Sequence, residues 1–277
     1  DVSQTHSMVP KAGTATQGLF GLVTSITINV KQKLNETTSA RITIPYDQVN
    51  LFIEKLRKSS FLISCEMMDH KCIKEISNKQ ENGMTLLIKW GSTNTLDLED
   101  VFEKLVRDFP DYVDSMIVSD SSSSEEALWQ PRHDLSDTLR RLAQQRQMSY
   151  IGYDLGIPKE YLYQVIQLLN NYISSKDGDL FVFGHSMQSD THYTLHCNYM
   201  MKKVDPDLLP LFIRDQLCDF DIHFSTEHGG CGEKSIKDAL FVLSNEDINS
   251  VLSLTSFYDP DDVFRRPFKQ FLKDIVK

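Results

Sequence analysis

The sequence lacks the features that mark a membrane-spanning or a secreted chain. No apolar run reaches the roughly 18 residues of a membrane helix, and the first residues, DVSQTHSMVPKAG, have neither the charged nor the apolar region of a signal peptide. We therefore expect a soluble chain, or one that was processed before its first residue. The five cysteines are odd in number and lack zinc-ribbon spacing, which favours buried thiols in a reducing compartment over a disulfide scaffold.

Clustered positive charge and phosphate-binding loops are scarce as well. The net charge is −10 and no cluster of lysine and arginine overrides it, which argues against a nucleic acid or an anionic lipid surface as partner. The stretches GHSMQSD and EHGGCGEK contain glycine, but neither fits a P-loop or a Rossmann turn. The chain does contain enough apolar sequence, 40% of 277 residues, to bury the core of one large domain or two small ones.

Apolar residues follow the period of a strand in some segments and that of a helix in others. Alternation of apolar and polar residues predicts strands at 21–30 and 38–45. The segments 84–90 and 149–157 are strand-like, and DLFVFGH and THYTLHCNYM predict a strand pair. Apolar stripes predict helices near 46–58, 97–109, 124–147, 158–174 and 206–219. In SDSSSSEEALW, Ser122 and Ser123 each precede a glutamate by three residues, which indicates a capping box; a flexible linker is the alternative. These elements predict an α+β fold in which helices cover one face of a largely antiparallel sheet.

Two histidines, His185 and His192, end one predicted strand and begin the next. The connection SMQSDT predicts a hairpin that returns His192 close to His185. Glu227 lies in a glycine-rich loop further on, and two histidines with one glutamate form the ligand set of a catalytic zinc-type site. The alternative is that these are ordinary hydrogen-bonded histidines. We expect His196, on the same strand face as His192, to be a core histidine or one that supports the site.

Further segments form an ordered series that covers nearly the whole chain. Gly184, His185 and His192 fit a Gly-His-x-Gly-Asp-Gly-Asn-x-His stretch, and residues 227–229 fit a Glu-His-Gly loop. EALWQPRHDL is similar to a Leu-Trp-x-x-Arg helix, and YDLGIP is similar to a YDLSLP segment. Three more segments of the same family resemble FLISCEMMDHKCI, DPDDVFRRPF and GLFGLVTSITI. With these motifs the chain resembles the C-terminal part of the FAD-linked D-2-hydroxyacid dehydrogenases, the family of D-lactate and D-2-hydroxyglutarate dehydrogenases.

The resemblance implies roles for individual residues in the oxidation of a 2-hydroxyacid. This reaction needs a base for the hydroxyl proton, a cation for the carboxylate and a Lewis acid for the oxygens. By resemblance, His228 is the base and Arg132 the bidentate carboxylate clamp. His185, His192 and Glu227 are then the ligands of a divalent metal, zinc or manganese. The alternatives are a solvated helix arginine for Arg132 and an ordinary loop histidine for His228.

Several positions depart from the family pattern. Met187 and Ser189 replace two turn glycines, and Asp190 replaces an asparagine that contacts substrate and flavin. Gly152 stands at the position of a substrate lysine in the hydroxyglutarate-type enzymes. Because glycine permits a positive φ and a close backbone approach, these changes are expected to weaken catalysis more than folding.

The resemblance also predicts a domain organisation. Residues 1–35 correspond to the end of an FAD-binding domain, and residues 36–245 correspond to an α+β cap of the FAD-linked oxidase C-terminal type, which binds the substrate. Residues 246–277 correspond to a segment that returns to the FAD-domain side. The main part of the FAD-binding domain has no counterpart here, so we expect no catalysis by the chain alone.

Cofactor and partner expectations follow from this organisation. Gly18, Gly21 and Asp190 are the candidate flavin contacts, and they would bind FAD only if an FAD-binding domain is supplied separately. One predicted function is the substrate- and metal-binding half of a dehydrogenase for D-lactate or D-2-hydroxyglutarate. The other is a non-catalytic accessory subunit of a larger mitochondrial complex. The resemblance predicts a mitochondrial location; without the resemblance, we expect a cytoplasmic one. In either case we expect a partner, an FAD-binding chain or a neighbouring subunit, to cover the apolar C-terminal segment around Phe264.

Overall fold

The chain folds into two compact units, one of residues 32–223 and one that combines residues 1–31 with 224–277. The computed structural model describes residues 25, 27, 34, 36–59, 61–78, 80–92, 95–186, 189–203, 205, 208–225, 245–264, 269–270 and 273. In the second unit, Asp259 accepts hydrogen bonds from the main-chain nitrogens of Val263 and Phe264, both at 2.9 Å, and pairs with the buried Lys269. The domain division predicted at residues 35 and 245 stays a prediction.

Strands and helices alternate through the described residues. The strands are β1 (Glu36–Ile44), β2 (Leu62–Met68), β3 (Met84–Ser92), β4 (Ile117–Val118), β5 (Ser149–Pro158), β6 (Asp179–His185), β7 (His192–Met201) and β8 (His223–Ser225). The α-helices are α1 (Val49–Arg57), α2 (His70–Ser77), α3 (Thr95–Asp108), α4 (Ser122–Gln145), α5 (Leu162–Ser174), α6 (Leu208–Gln216) and α7 (Asn245–Tyr258). Among these helices, none is both long enough and apolar enough to span a bilayer.

The strands form one sheet in the order β4-β1-β3-β2-β6-β7-β5-β8. The pairs β1/β3, β2/β3, β2/β6, β6/β7 and β5/β7 are antiparallel. It follows that β1 and β2 run parallel to each other on either side of β3, and β5 and β6 do so on either side of β7. Each half is a split β-α-β unit whose outer strands are joined by a helix, α1 or α5. The fold is therefore α+β with a largely antiparallel sheet, as the sequence predicts.

One side of the sheet, which we call the core face, is apolar across both halves. Strand register puts Ile42, Leu86, Met67, Leu195 and Leu155 in a single row, and all five are fully buried. Helices α1 and α5 supply buried apolar stripes, and the Tyr193 hydroxyl of the core face donates to the Asn50 side-chain oxygen of α1 at 2.8 Å. Burial of this apolar surface is the main term that stabilises the unit.

The opposite side, which we call the polar face, is covered by α2 and α4. The prediction that helices cover one face of the sheet is therefore wrong, because this face also buries apolar side chains that need a covering layer. An apolar cluster joins these helices to the sheet through Met68, Leu87, Leu139, Phe181 and other buried residues. The first turns of α4 contact β1 through polar groups. The Ser39 hydroxyl donates to Glu125 Oε1 at 2.7 Å and accepts from the indole nitrogen of Trp129 at 2.9 Å. Helix α4 is thereby fixed across a face that contains charged side chains.

The predicted elements are found where the structure describes them, with three differences. The predicted strand at 21–30 lies outside the described residues apart from residues 25 and 27. Strands β2, β4 and β8 and helices α2 and α7 are absent from the sequence-based expectation. The capping box of α4 is formed by Ser121 and Ser124, so the prediction for Ser122 and Ser123 is wrong. The glutamate at position 125 bonds to β1 and Lys89 instead, because the tertiary contact competes with the local cap.

Candidate functional site

The candidate site lies on the polar face, one residue along the strands from the apolar row of the core face. Residues opposite one another on paired strands share a face of a sheet. Glu66 of β2 lies opposite His185 of β6, and Phe183 lies opposite His196 of β7, which in turn lies opposite Asp154 of β5. Four neighbouring strands thus contribute two carboxylates and two imidazoles to one surface.

Glu66 binds both an arginine and a histidine. Arg132 of α4 donates to Glu66 Oε2 from Nε at 3.1 Å and from Nη2 at 2.9 Å. His185 Nδ1 lies 2.5 Å from the other carboxylate oxygen. The guanidinium also lies 4.9 Å from the centre of the Phe183 ring, within the range of a cation–π contact. The side chains of Glu66 and Arg132 are only 12% and 13% exposed, so their charges are largely shielded from water.

The electrostatics of this cluster determine which nitrogen of His185 can react. Burial raises the pKa of Glu66, but the hydrogen bond from His185 and the positive charge of Arg132 outweigh it, so the pKa lies below its ordinary value. Glu66 is therefore ionised near neutral pH and can only accept hydrogen bonds. His185 Nδ1 must carry the proton of the 2.5 Å bond, and any proton transfer or metal binding by His185 must use Nε2.

A second carboxylate–imidazole pair lies next to the first. His196 Nδ1 and Asp154 Oδ1 are 2.5 Å apart, and both residues are buried. The His196 ring centre lies 5.5 Å from that of His185, with an angle of 81° between the two planes. The prediction that His196 is buried or supports the site is confirmed by its burial and by this contact. Two oriented imidazoles beside an arginine can bind an anion and exchange a proton.

The predicted metal ligands lie in different surroundings. The hairpin forms as predicted, but its register pairs His185 with Thr194. The structure places His185 beside Glu66 and His196, while the His192 ring lies 4.7 Å from the ring of His223. The third predicted ligand, Glu227, lies outside the described residues, so this ligand set stays a prediction.

The remaining predicted residues are distributed over the chain. Arg132 is in the site, and its ion pair with Glu66 argues against the alternative of a solvated helix arginine. Asp190 pairs with Arg57 at 3.0 Å and its side chain is 99% exposed, a placement that gives no support to a flavin contact. The proposed base His228 lies outside the described residues, as do the candidate flavin contacts Gly18 and Gly21.

Sequence reasoning missed the two carboxylates of the site. Glu66 and Asp154 each stand inside an apolar strand and within a segment that resembles the family, FLISCEMMDHKCI and YDLGIP, and both signals could have drawn attention to them. It also missed the partner of Gly152. A Cβ on Gly152 would lie 1.8 Å from the side-chain oxygen of Asn198, so Asn198 fills the space beside the position where a substrate lysine was expected.

The fold and site define a cap-type α+β domain with one apolar and one polar sheet face. Residues 40–229 match the family described as FAD linked oxidases, C-terminal domain. Because this match covers more than half of the chain, the chain belongs to that family. No curated protein matches the sequence.

Solved structures share the fold at low identity. Alkyldihydroxyacetonephosphate synthase is similar in two crystal forms, at 10% and 11% identity and TM-scores of 0.58 and 0.59, with 89% of this chain and 47% of that chain covered in both. The isoeugenol complex of 4-ethylphenol oxidase from Gulosibacter chungangensis is 9% identical, with a TM-score of 0.49 and coverage of 88% of this chain and 52% of that chain. The chain thus spans about half the length of the solved structures it matches, and these likenesses concern the fold alone.

Proposed function

We propose that the chain is the substrate-binding part of an FAD-dependent oxidoreductase that acts on a D-2-hydroxyacid, of the D-lactate or D-2-hydroxyglutarate type. The observation that carries the proposal is the position of Arg132 beside two carboxylate-bound imidazoles, His185 and His196, on one sheet face. A 2-hydroxyacid presents a carboxylate and a neighbouring hydroxyl, and this arrangement offers a cation and proton-exchanging groups at short range.

Each residue has a separate task in this proposal. Glu66 engages Nε and Nη2 of Arg132, and Nη1 is the donor that an incoming carboxylate can use. His185 and His196 orient the hydroxyl and the water around it, and His228 remains the proposed base for the hydroxyl proton. The flavin of such a protein, when bound, supplies the acceptor for the hydride of the α-carbon. The polar face fits the substrate side of a flavin site, since its donors converge on one surface.

Ligand titration tests the proposal on the 277-residue chain without the hydride acceptor. Isotope-labelled protein is titrated with D-lactate, with D-2-hydroxyglutarate and with the L enantiomers, and the imidazole signals are followed by NMR. We expect saturable shifts of the His185 and His196 signals with a D-acid. Because a charge-assisted hydrogen bond contributes about 1.5–3 kcal/mol, Arg132→Ala is expected to weaken binding roughly 10–100-fold.

The matched control is Arg140→Ala, which removes an arginine of the same helix from an exposed pair with Asp137. This variant is expected to bind the D-acid as the wild type does. Equal shifts with D- and L-acids, or equal affinity in the Arg132 and Arg140 variants, would contradict the proposal.

A second candidate is the accessory subunit of a larger mitochondrial complex, completed by neighbouring chains. Two observations favour it. The carboxylate of Glu66 already binds two donor nitrogens of Arg132, the predicted substrate clamp. Asn198 fills the space beside Gly152, where a substrate lysine was expected. If no 2-hydroxyacid shifts any imidazole signal, this candidate becomes the better one. Light scattering on the isolated chain then tests for the self-association expected of an uncovered subunit.

A further inference from the structure

A second group of ligand-type side chains lies where β7 begins, and it shares no residue with the cluster around Glu66. It consists of His192, at the start of β7, with Asp221 and His223. One ligand atom from each of the three residues lies within 4.8 Å of the others. All three belong to the larger compact unit of residues 32–223.

The separations of these atoms suit a single small ion. Metal–nitrogen and metal–oxygen bonds of about 2.0–2.2 Å in a tetrahedral site put neighbouring ligand atoms roughly 3.3–3.5 Å apart. His192 Nε2 lies 3.7 Å from Asp221 Oδ2, and His223 Nε2 lies 3.5 Å from Asp221 Oδ1. The main-chain oxygen of Asp221 lies 3.1 Å from His192 Nε2 and is a further oxygen at the same point. The two distances end on different oxygens of Asp221, and the three ligand atoms lie within 4.8 Å of one another, so an ion would draw them closer together.

Neighbouring residues prepare the two histidines for this arrangement. Without an ion, His192 Nε2 donates to the main-chain oxygen of Asp221, which can only accept. Thr191 Oγ1 lies 2.8 Å from His192 Nδ1, and its hydroxyl can accept the Nδ1 proton once an ion takes Nε2, as polar partners of metal-bound histidines do. Gly156 lies beside both residues, since a Cβ there would meet His223 Cβ at 3.3 Å and His192 Cδ2 at 3.8 Å. A side chain at this position would therefore crowd His223.

We infer that His192, Asp221 and His223 form a binding site for a divalent transition metal of the zinc type. Two imidazole nitrogens and a carboxylate match the ligand preference of zinc and cobalt better than that of magnesium or calcium, which take oxygen ligands. Three protein side chains leave a position for water or for the main-chain oxygen of Asp221. The set shares only His192 with the predicted set of His185, His192 and Glu227, and it does not rest on the proposed function.

Metal titration of the 277-residue chain, prepared without a histidine tag and stripped with a chelator, tests the site. The probes are Zn²⁺, by calorimetry, and Co²⁺, by its visible absorption. We expect one equivalent of Zn²⁺ and an intense tetrahedral Co²⁺ spectrum. Loss of a partner outside the ligand set typically costs 10–100-fold in affinity, and we expect Asp221→Asn and His223→Ala to cost at least roughly that much. Both side chains are largely exposed, so the variants should fold, which circular dichroism checks.

Matched controls separate this site from the other possibilities. His133→Ala removes an exposed histidine of α4, and Asp215→Asn removes an exposed carboxylate of α6; neither is expected to alter the Zn²⁺ affinity. Variants His185→Ala and Glu227→Gln are expected to leave it unchanged as well. If these two variants lower the affinity while Asp221→Asn and His223→Ala do not, the ion belongs to the predicted set and the inference is overturned. Binding that no variant alters would be non-specific and would overturn it too.

Discussion

The two faces of the sheet differ in charge although their rows are one residue apart: the core face is apolar, whereas the polar face combines an apolar cluster with charged side chains. The core-face row of Ile42, Leu86, Met67, Leu195 and Leu155 is followed on the same strands by Arg41, Leu87, Glu66, Thr194 and Gly156. The first row is fully buried and apolar, and α1 and α5 cover it. The second row contains charge, and α4 reaches it with an arginine. Since successive side chains of a strand alternate between faces, one sequence register specifies both surfaces at once.

The comparison separates residues that stabilise the fold from residues that shape a site. Buried apolar area stabilises roughly in proportion to its size. A buried ion pair such as Glu66–Arg132 is weak evidence for stability, because the desolvation of both charges offsets much of their attraction. We therefore expect core-face substitutions to change stability most, while a paired replacement on the polar face should change it little.

The largest effect is expected for Phe52→Ala on α1. Phe52 is fully buried and its ring centre lies 4.1 Å from that of Phe109. Truncation removes apolar contact and leaves a cavity, so the free energy of unfolding should fall by about 3–5 kcal/mol. Chemical denaturation of variant and wild type measures the difference. The control is Leu51→Ala, an exposed neighbour on the same helix, for which we expect a change within about 0.5 kcal/mol; similar losses in both variants would break the comparison of the faces.

A smaller loss is expected for Glu66→Gln on the polar face. The amide keeps the shape of the side chain but leaves Arg132 without its counter-charge, so we expect a loss of about 1–3 kcal/mol. Combining it with Arg132→Gln should recover part of this loss, with a coupling energy of about 0.5–3 kcal/mol from a double-mutant cycle. Asp137→Asn, in the exposed pair with Arg140, is the control and should cost at most about 1 kcal/mol. A coupling energy of zero would show that Glu66 and Arg132 contribute to stability independently of each other.

The core face could be predicted from the sequence, whereas most of the candidate site could not. Alternation in TSARITIP, the apolar run of DLFVFGH and the apolar stripe of α1 are local signals, and each predicts an element that the structure contains. Strand β2, LISCEMM, was missed because its last four residues are all buried, on both faces of the sheet. Apolar and polar residues therefore do not alternate along it. Its residues also have few β-branched side chains, which removes the second local signal.

The site depends on strand order, which no local pattern reveals. His185 could be selected from the sequence by its spacing to His192 in a predicted hairpin and by its fit to the family motif. Its partner Glu66 is 119 positions away and meets it only because β2 lies next to β6 in the sheet. The same holds for Asp154 and His196, whose pairing follows from the register of β5 and β7. Arg132 was identified through the family resemblance, and its ion pair with Glu66 became visible only in the fold.

The pH dependence of stability provides a sharper test of the polar face. The pKa of Glu66 is lowered in the folded chain, so its contribution is fully present above the unfolded pKa of about 4.3 and is lost as the pH falls through the folded value. The difference in unfolding free energy between wild type and Glu66→Gln should therefore be constant near neutrality and shrink below about pH 4. Denaturation curves from pH 7 to pH 3 measure it. A difference that still grows below about pH 4 would mean that the carboxylate is not ionised in the folded chain.

The smallest effect is expected for Gly152→Ala, next to Asn198 on the polar face. The new Cβ would lie 1.8 Å from the Asn198 side-chain oxygen, but that oxygen is the end of a side chain that can rotate. We therefore expect a loss near the low end of overpacking effects, about 1 kcal/mol. Asn198→Ala removes the side chain that the new Cβ would overlap. The double variant should therefore be as stable as Asn198→Ala alone. If the cost persists without the Asn198 side chain, the limit on this position comes from the backbone, and Asn198 does not determine which side chains the polar face accepts.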